Sequence, residues 1–142
     1  MPKHITGKIM ENNTEYEWDI YQPTPKMSTY ILGVAVLNGY VSVQKQFGKR
    51  NISTYSPEKT PDNEYNLNHT LKLLSIFEEY LNATEELPKI DSLHAIAGHY
   101  GAMENWGLIV YYTSHLTSIR LIAHELAHFW FGNLVTCENW NE

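Results

Sequence analysis

A chain of 142 residues with ten Lys and Arg against sixteen Asp and Glu carries a formal net charge of −6. Its basic residues are scattered and do not interleave with aromatics, which argues against a nucleic-acid partner. An apolar content of 43% fits a packed globular chain of about one domain by length. The longest apolar runs are too short to cross a bilayer, so no transmembrane segment is expected. Met1-Pro2-Lys3-His4 opens into polar sequence rather than a secretory signal. Cys137 is the single cysteine, which excludes an internal disulfide.

In chain order, Tyr16, Trp18 and Ile20 alternate with Glu17 and Asp19, a period of two that predicts a strand. Pro23 and Pro25 break it. The continuous apolar run Tyr30 to Leu37 predicts a buried strand, Asn38-Gly39 a tight turn, and Tyr40, Val41 and Val43 the start of a return strand. A further alternating stretch lies near Ile52 to Tyr55. Composition shifts at Ser56-Pro57-Glu58-Lys59-Thr60-Pro61, which marks a boundary. Beyond it Leu71, Leu74, Phe77 and Leu81 recur at helical spacing, with Asn66 or Asn68 as candidate caps. Ile90 to Ile96 and Leu108 to Tyr112 predict strands. Ser118 is the expected N-cap of a last helix, and Gly132 its expected end.

That last helix carries His124-Glu125-Leu126-Ala127-His128 inside an apolar run. Residues four apart share a helical face. His124 and His128 can therefore hold one metal ion, with Glu125 beside them as a base. Burying two histidines and a glutamate in an apolar helix is costly unless a metal or hydrogen bonds satisfy them, and zinc accounts for all three. Two histidines alone do not complete a catalytic zinc site. Upstream, Gly101-Ala102-Met103-Glu104-Asn105-Trp106-Gly107 sets one acid in an apolar, glycine-flanked segment before a strand, where it can pair with a cationic substrate group.

The two motifs in this order resemble the zinc aminopeptidases of the aminopeptidase N type. Pro23 to Tyr30, Leu87 to Asp91 and Trp130 to Thr136 are similar to family segments in the same sequence, and the likeness runs from about Glu15 onward. It implies an α+β fold: residues 1–56 as the end of an N-terminal β-sandwich or saddle domain, and residues 57–142 as the first part of a thermolysin-like catalytic domain. It implies zinc on His124 and His128, Glu125 as the general base that activates the attacking water, and Glu104 on the free α-amino group of a peptide. Gly101, Ala102, Met103 and Asn105 would bind the substrate with it.

The same resemblance implies features the chain lacks. The third zinc ligand, a glutamate, is expected C-terminal to Glu142, as is an oxyanion-stabilising tyrosine. The stretch between Gly107 and His124 is shorter than the family's, and Phe129 stands in place of a Gln. Glu138 and Glu142 are the local candidates for a third ligand. The alternative HExxHxxGxxH zinc pattern fails, because Phe131 and Leu134 occupy its Gly and His positions. The expected function is zinc-dependent release of N-terminal residues, with weak turnover from this chain alone. The alternatives are an inactive peptide-binding relative and a piece of a longer active enzyme. Four N-x-S/T sequons, at Asn12, Asn51, Asn68 and Asn82, suggest descent from an extracellular or membrane-anchored ectodomain.

Overall fold

The computed structural model describes residues 1–84, 86–96 and 101–139. It contains two sheets and two α-helices, an α+β arrangement. Strands β1 (Lys3–Glu11) and β2 (Thr14–Tyr21) form an antiparallel hairpin. Asn12 and Asn13 make its turn with positive φ angles of 49° and 62°, a conformation that asparagine tolerates better than most residues. Ile5, Ile9, Tyr16, Trp18 and Ile20 share one face of this ribbon and remain exposed, while Lys3–Asp19 and Lys8–Glu15 pair on the other.

Only Thr29–Ile31 of the apolar run after Ser28 is regular, and it is a 3₁₀ turn rather than a strand. Ile31 alone enters the core. Val34 and Val36 are 84% and 97% exposed. Apolar content predicted burial there, yet no neighbouring strand among the described residues offers the segment a ladder.

The second sheet runs β3–β4–β5–β7–β6 and positions the site. Strands β3 (Val41–Phe47) and β4 (Arg50–Ser56) form a hairpin. Helix α1 (Pro61–Leu81) then crosses to β5 (Lys89–Ala95), which pairs parallel to β4. Strand β7 (Leu108–Tyr112) adds parallel to β5, and the two-residue β6 (Ala102–Met103) closes the edge antiparallel to β7. The sheet is thus continuous across the composition break at residues 56 and 57. Thr60, not Asn66 or Asn68, caps α1, through a capping box with Asn63. Asn66 is instead buried, accepting from Thr54 Oγ1 at 3.1 Å and donating to the Leu116 carbonyl at 2.9 Å.

Helix α2 (Ile119–Ala127) packs on α1 over this sheet. Ser118 caps it, its hydroxyl accepting from the Leu121 N–H at 3.4 Å. The helix ends at His128, four residues before Gly132. The N–H groups of Asn133, Leu134 and Val135 turn back onto the carbonyls of His128, Phe129 and Trp130, satisfying acceptors that a helix end leaves open. Ile122 and Leu126 form its fully buried stripe, which Phe129 continues just past the helix end. Leu126→Ala should therefore cost about 2–5 kcal/mol, read as a lower midpoint in urea unfolding.

Candidate active site

The strand edge and the last helix meet to form the site. Because the buried stripe of α2 faces the core, His124 and His128 fall on its outer side, and Glu125 lies at the border, 3% exposed. The helix is unbroken through the motif, with the His128 N–H bonded to the His124 carbonyl at 3.3 Å. The rings converge edge to face, 4.7 Å between centroids, with the two Nε2 atoms 3.2 Å apart. Two nitrogens of a tetrahedral zinc site, each about 2.0–2.1 Å from the metal, sit about 3.3 Å from one another. His128 Nδ1 lies 3.2 Å from the Phe131 carbonyl. A carbonyl only accepts, so Nδ1 carries the hydrogen and Nε2 keeps its lone pair for a ligand.

Glu125 is buried and incompletely satisfied. Its Oε2 is buried without a hydrogen-bond partner. Burial foremost, then the charge of Glu104, pushes its carboxyl up to about 7, against a smaller opposing pull from His128. A buried carboxylate without donors is unusual, and a base poised near neutrality is what proton transfer favours. Behind it the Tyr111 hydroxyl is fully buried near Asn66 and Ser92 without a well-formed hydrogen bond, and is raised by burial and by Glu125.

Glu104 follows β6 at the sheet edge. The Tyr112 N–H donates to the Gly101 carbonyl at 3.0 Å and the Leu108 N–H to the Asn105 carbonyl at 2.8 Å, fixing both ends of the segment. Gly101 holds a φ of 98°, which few other residues adopt. Ala102, Met103 and Glu104 are half-buried and Asn105 is buried. Helix α2 packs against β6, which leads into Glu104, and the charge of Glu104 acts on both Glu125 and Tyr30.

Two contributors were not legible in the sequence. The 3₁₀ turn after Ser28 docks on the Glu104 segment: the Trp106 N–H donates to the Ile31 carbonyl at 3.0 Å, and a Cβ on Gly33 would lie 2.8 Å from the Asn105 Cβ. Tyr30 thereby reaches the cleft, and a Cβ on Gly132 would lie 3.5 Å from its hydroxyl and 3.7 Å from His128 Nδ1. Gly33→Ala should displace Asn105 and lower stability by about 1–3 kcal/mol, measured by thermal melting.

Among the described residues no group of three or more His, Cys, Asp or Glu side chains surrounds a common metal position. Glu138 does not join the histidines, and Glu142 lies outside the described residues. The site thus brings together two imidazoles with converging Nε2 atoms, a buried carboxyl, and an acid on the adjoining sheet edge.

Residues 65–142 match the Peptidase family M1 domain. Human endoplasmic reticulum aminopeptidase 2 is 41% identical over 161 aligned positions, and Aminopeptidase Ey of Gallus gallus 37% over 158, each covering 100% of this chain. Bovine aminopeptidase N is 37% identical over 155 positions, covering 96%. The chain belongs to peptidase family M1. It spans 16% of the length of these relatives. The alignment with Aminopeptidase Ey needs 158 positions for 142 residues, so that relative carries at least 16 residues with no counterpart here. No described helix is long and apolar enough to cross a membrane.

Proposed function

We propose that this chain carries the histidine-and-amine half of a zinc aminopeptidase site, whose reaction is release of N-terminal residues from peptides. One observation supports this most directly: the imidazoles of His124 and His128 converge, their Nε2 atoms 3.2 Å apart, beside the buried Glu125, and the helix that carries them packs against β6, which leads into Glu104. Their Nε2 spacing and the tautomer set at Phe131 fit zinc. Bound there, zinc would supply Lewis-acid activation of a water and a carbonyl. Glu125 takes the proton of the attacking water. Glu104 holds the substrate ammonium, which restricts attack to the first peptide bond. The edge of β6, with Ala102 and Met103, offers backbone groups to an extended substrate, and Gly101 and Asn105 anchor that edge. The β1–β2 hairpin then belongs with a preceding β domain, whereas β3 and β4, which share the sheet of β5 to β7, belong with the catalytic domain, so the boundary falls before Val41 rather than at the composition break after residue 56. The names of the relatives, which include endoplasmic reticulum aminopeptidases, accord with an endomembrane or extracellular setting. Asn12 and Asn82 are the sequons with exposed acceptors.

A second reading, peptide binding without turnover, is favoured by one finding: no third ligand joins the histidines among the described residues. A metal with two protein ligands binds weakly and orients its water poorly. The test separates binding from turnover. A zinc-loaded preparation should bind free-amine peptides at least tenfold more tightly than their Nα-acetyl forms, and Glu104→Gln should erase the difference. Equal binding of both forms would defeat the aminopeptidase reading. Turnover of an aminoacyl arylamide that disappears in Glu125→Gln would defeat the binding-only reading.

A further inference from the structure

The cleft extends past the histidines on the side away from Tyr30. Gly101, at the start of the β6 segment, lines an open cavity of about 560 Å³ together with His115, Ser118, Arg120, Leu121 and His124. Strand and helix order the cleft in the same sense. Along the strand segment Gly101 comes first and Glu104 last. Along the helix Arg120 is followed by His124, then His128, then Gly132 facing Tyr30. A peptide whose ammonium sits at Glu104 and whose first carbonyl lies by the histidines therefore runs on towards Gly101 and this cavity.

The cavity is cationic in an acidic chain. Arg120 stands one helical turn before His124, so both project from the same face. It is exposed, and the ion pairs formed among the described residues do not include it. None of the described lining residues is acidic. His115 is fixed in the wall, Nδ1 donating to the Tyr112 carbonyl at 3.0 Å. The link between β7 and α2 is a single 3₁₀ turn, Thr113–Thr117, which brings this wall up to the histidines. A guanidinium presents a planar fork of donors that matches a carboxylate.

We propose that this cavity is a carboxylate-binding subsite, in which Arg120 pairs with an anionic group on the C-terminal side of the bond to be cut. This rests on the aminopeptidase reading above. It predicts a preference for peptides whose second residue is acidic or bears the free C-terminal carboxylate.

The experiment uses the full chain carrying Glu125→Gln and loaded with zinc, so that no peptide is turned over, and measures dissociation constants by calorimetry. Leu-Asp-amide against Leu-Asn-amide tests a side-chain carboxylate. Leu-Gly against Leu-Gly-amide tests a terminal one. The carboxylate member of at least one pair should bind roughly two- to fivefold more tightly, as expected of a solvent-exposed ion pair. Adding Arg120→Gln should abolish that preference while leaving the amides unchanged, and Arg120→Lys should keep part of it. Which pair responds identifies the source of the carboxylate. Amides that bind, with no preference in either pair or with one that survives Arg120→Gln, overturn this proposal and leave the aminopeptidase reading standing. Binding of none of these peptides, or equal binding of their Nα-acetyl forms, removes both.

Discussion

Glu125→Gln should make the metal-free protein more stable at pH 8, by about 1–3 kcal/mol. Burial and the nearby Glu104 hold the Glu125 carboxyl at about 7 in the folded chain, above its ordinary 4.5. A raised folded value means that the fold favours the protonated form. Its favourable contribution is complete below about pH 4.5 and is lost as pH rises through about 7. At pH 8 the folded chain holds an ionised oxygen with no hydrogen-bond partner. Glutamine resembles the protonated acid and brings no charge. The variant's advantage should appear between pH 4.5 and 7 and persist above. Urea unfolding of both proteins at pH 4, 6 and 8, with chelator present, measures it. Equal stabilities at pH 8 would mean that water or a rearrangement satisfies the carboxylate. A buried acid that weakens the fold at neutral pH is the trade-off expected of a functional site.

The elements that were legible in the sequence are those whose local signals agree with their surroundings. β7 runs from Leu108 to Tyr112 as its apolar run predicts, and Ser118 caps α2. The histidine pair was legible because helical spacing alone brings positions four apart together. The edge position of Glu104 came from motif order and was matched by β6. The failures have physical causes too. The run from Tyr30 to Leu37 is apolar enough for a buried strand, but burial depends on partners that periodicity does not reveal. Hairpin strand β1 is a mixed sequence whose pairing with β2 is set by the Asn12-Asn13 turn. The cap of α1 was misplaced because Asn66 is a good capping residue that the fold uses in a buried network with Thr54 and Leu116 instead. Tyr30 and Arg120 reach the cleft through tertiary packing, and no spacing rule connects residue 30 to residue 104.

Zinc should raise the thermal stability of this chain, and the rise should require both histidines. A ligand that binds only the folded state stabilises it by about 2.7 kcal/mol when present at a hundred times its dissociation constant. For a chain of this length that corresponds to a melting shift of about 5–10 °C. The converging Nε2 atoms, 3.2 Å apart, form this pair of ligands only in the folded helix. His124→Ala or His128→Ala leaves one imidazole, and the shift should collapse at the same zinc concentration. Both substitutions fall on the outer side of α2, away from Ile122 and Leu126, so neither should lower stability in chelator by more than about 1 kcal/mol. Glu138→Gln should leave the zinc response intact, because Glu138 does not gather with the histidines. If instead Glu138→Gln weakens the response tenfold, the segment after Gly132 folds back on the metal and completes a three-ligand site. A melting series against zinc concentration, with magnesium as the control ion, distinguishes these outcomes.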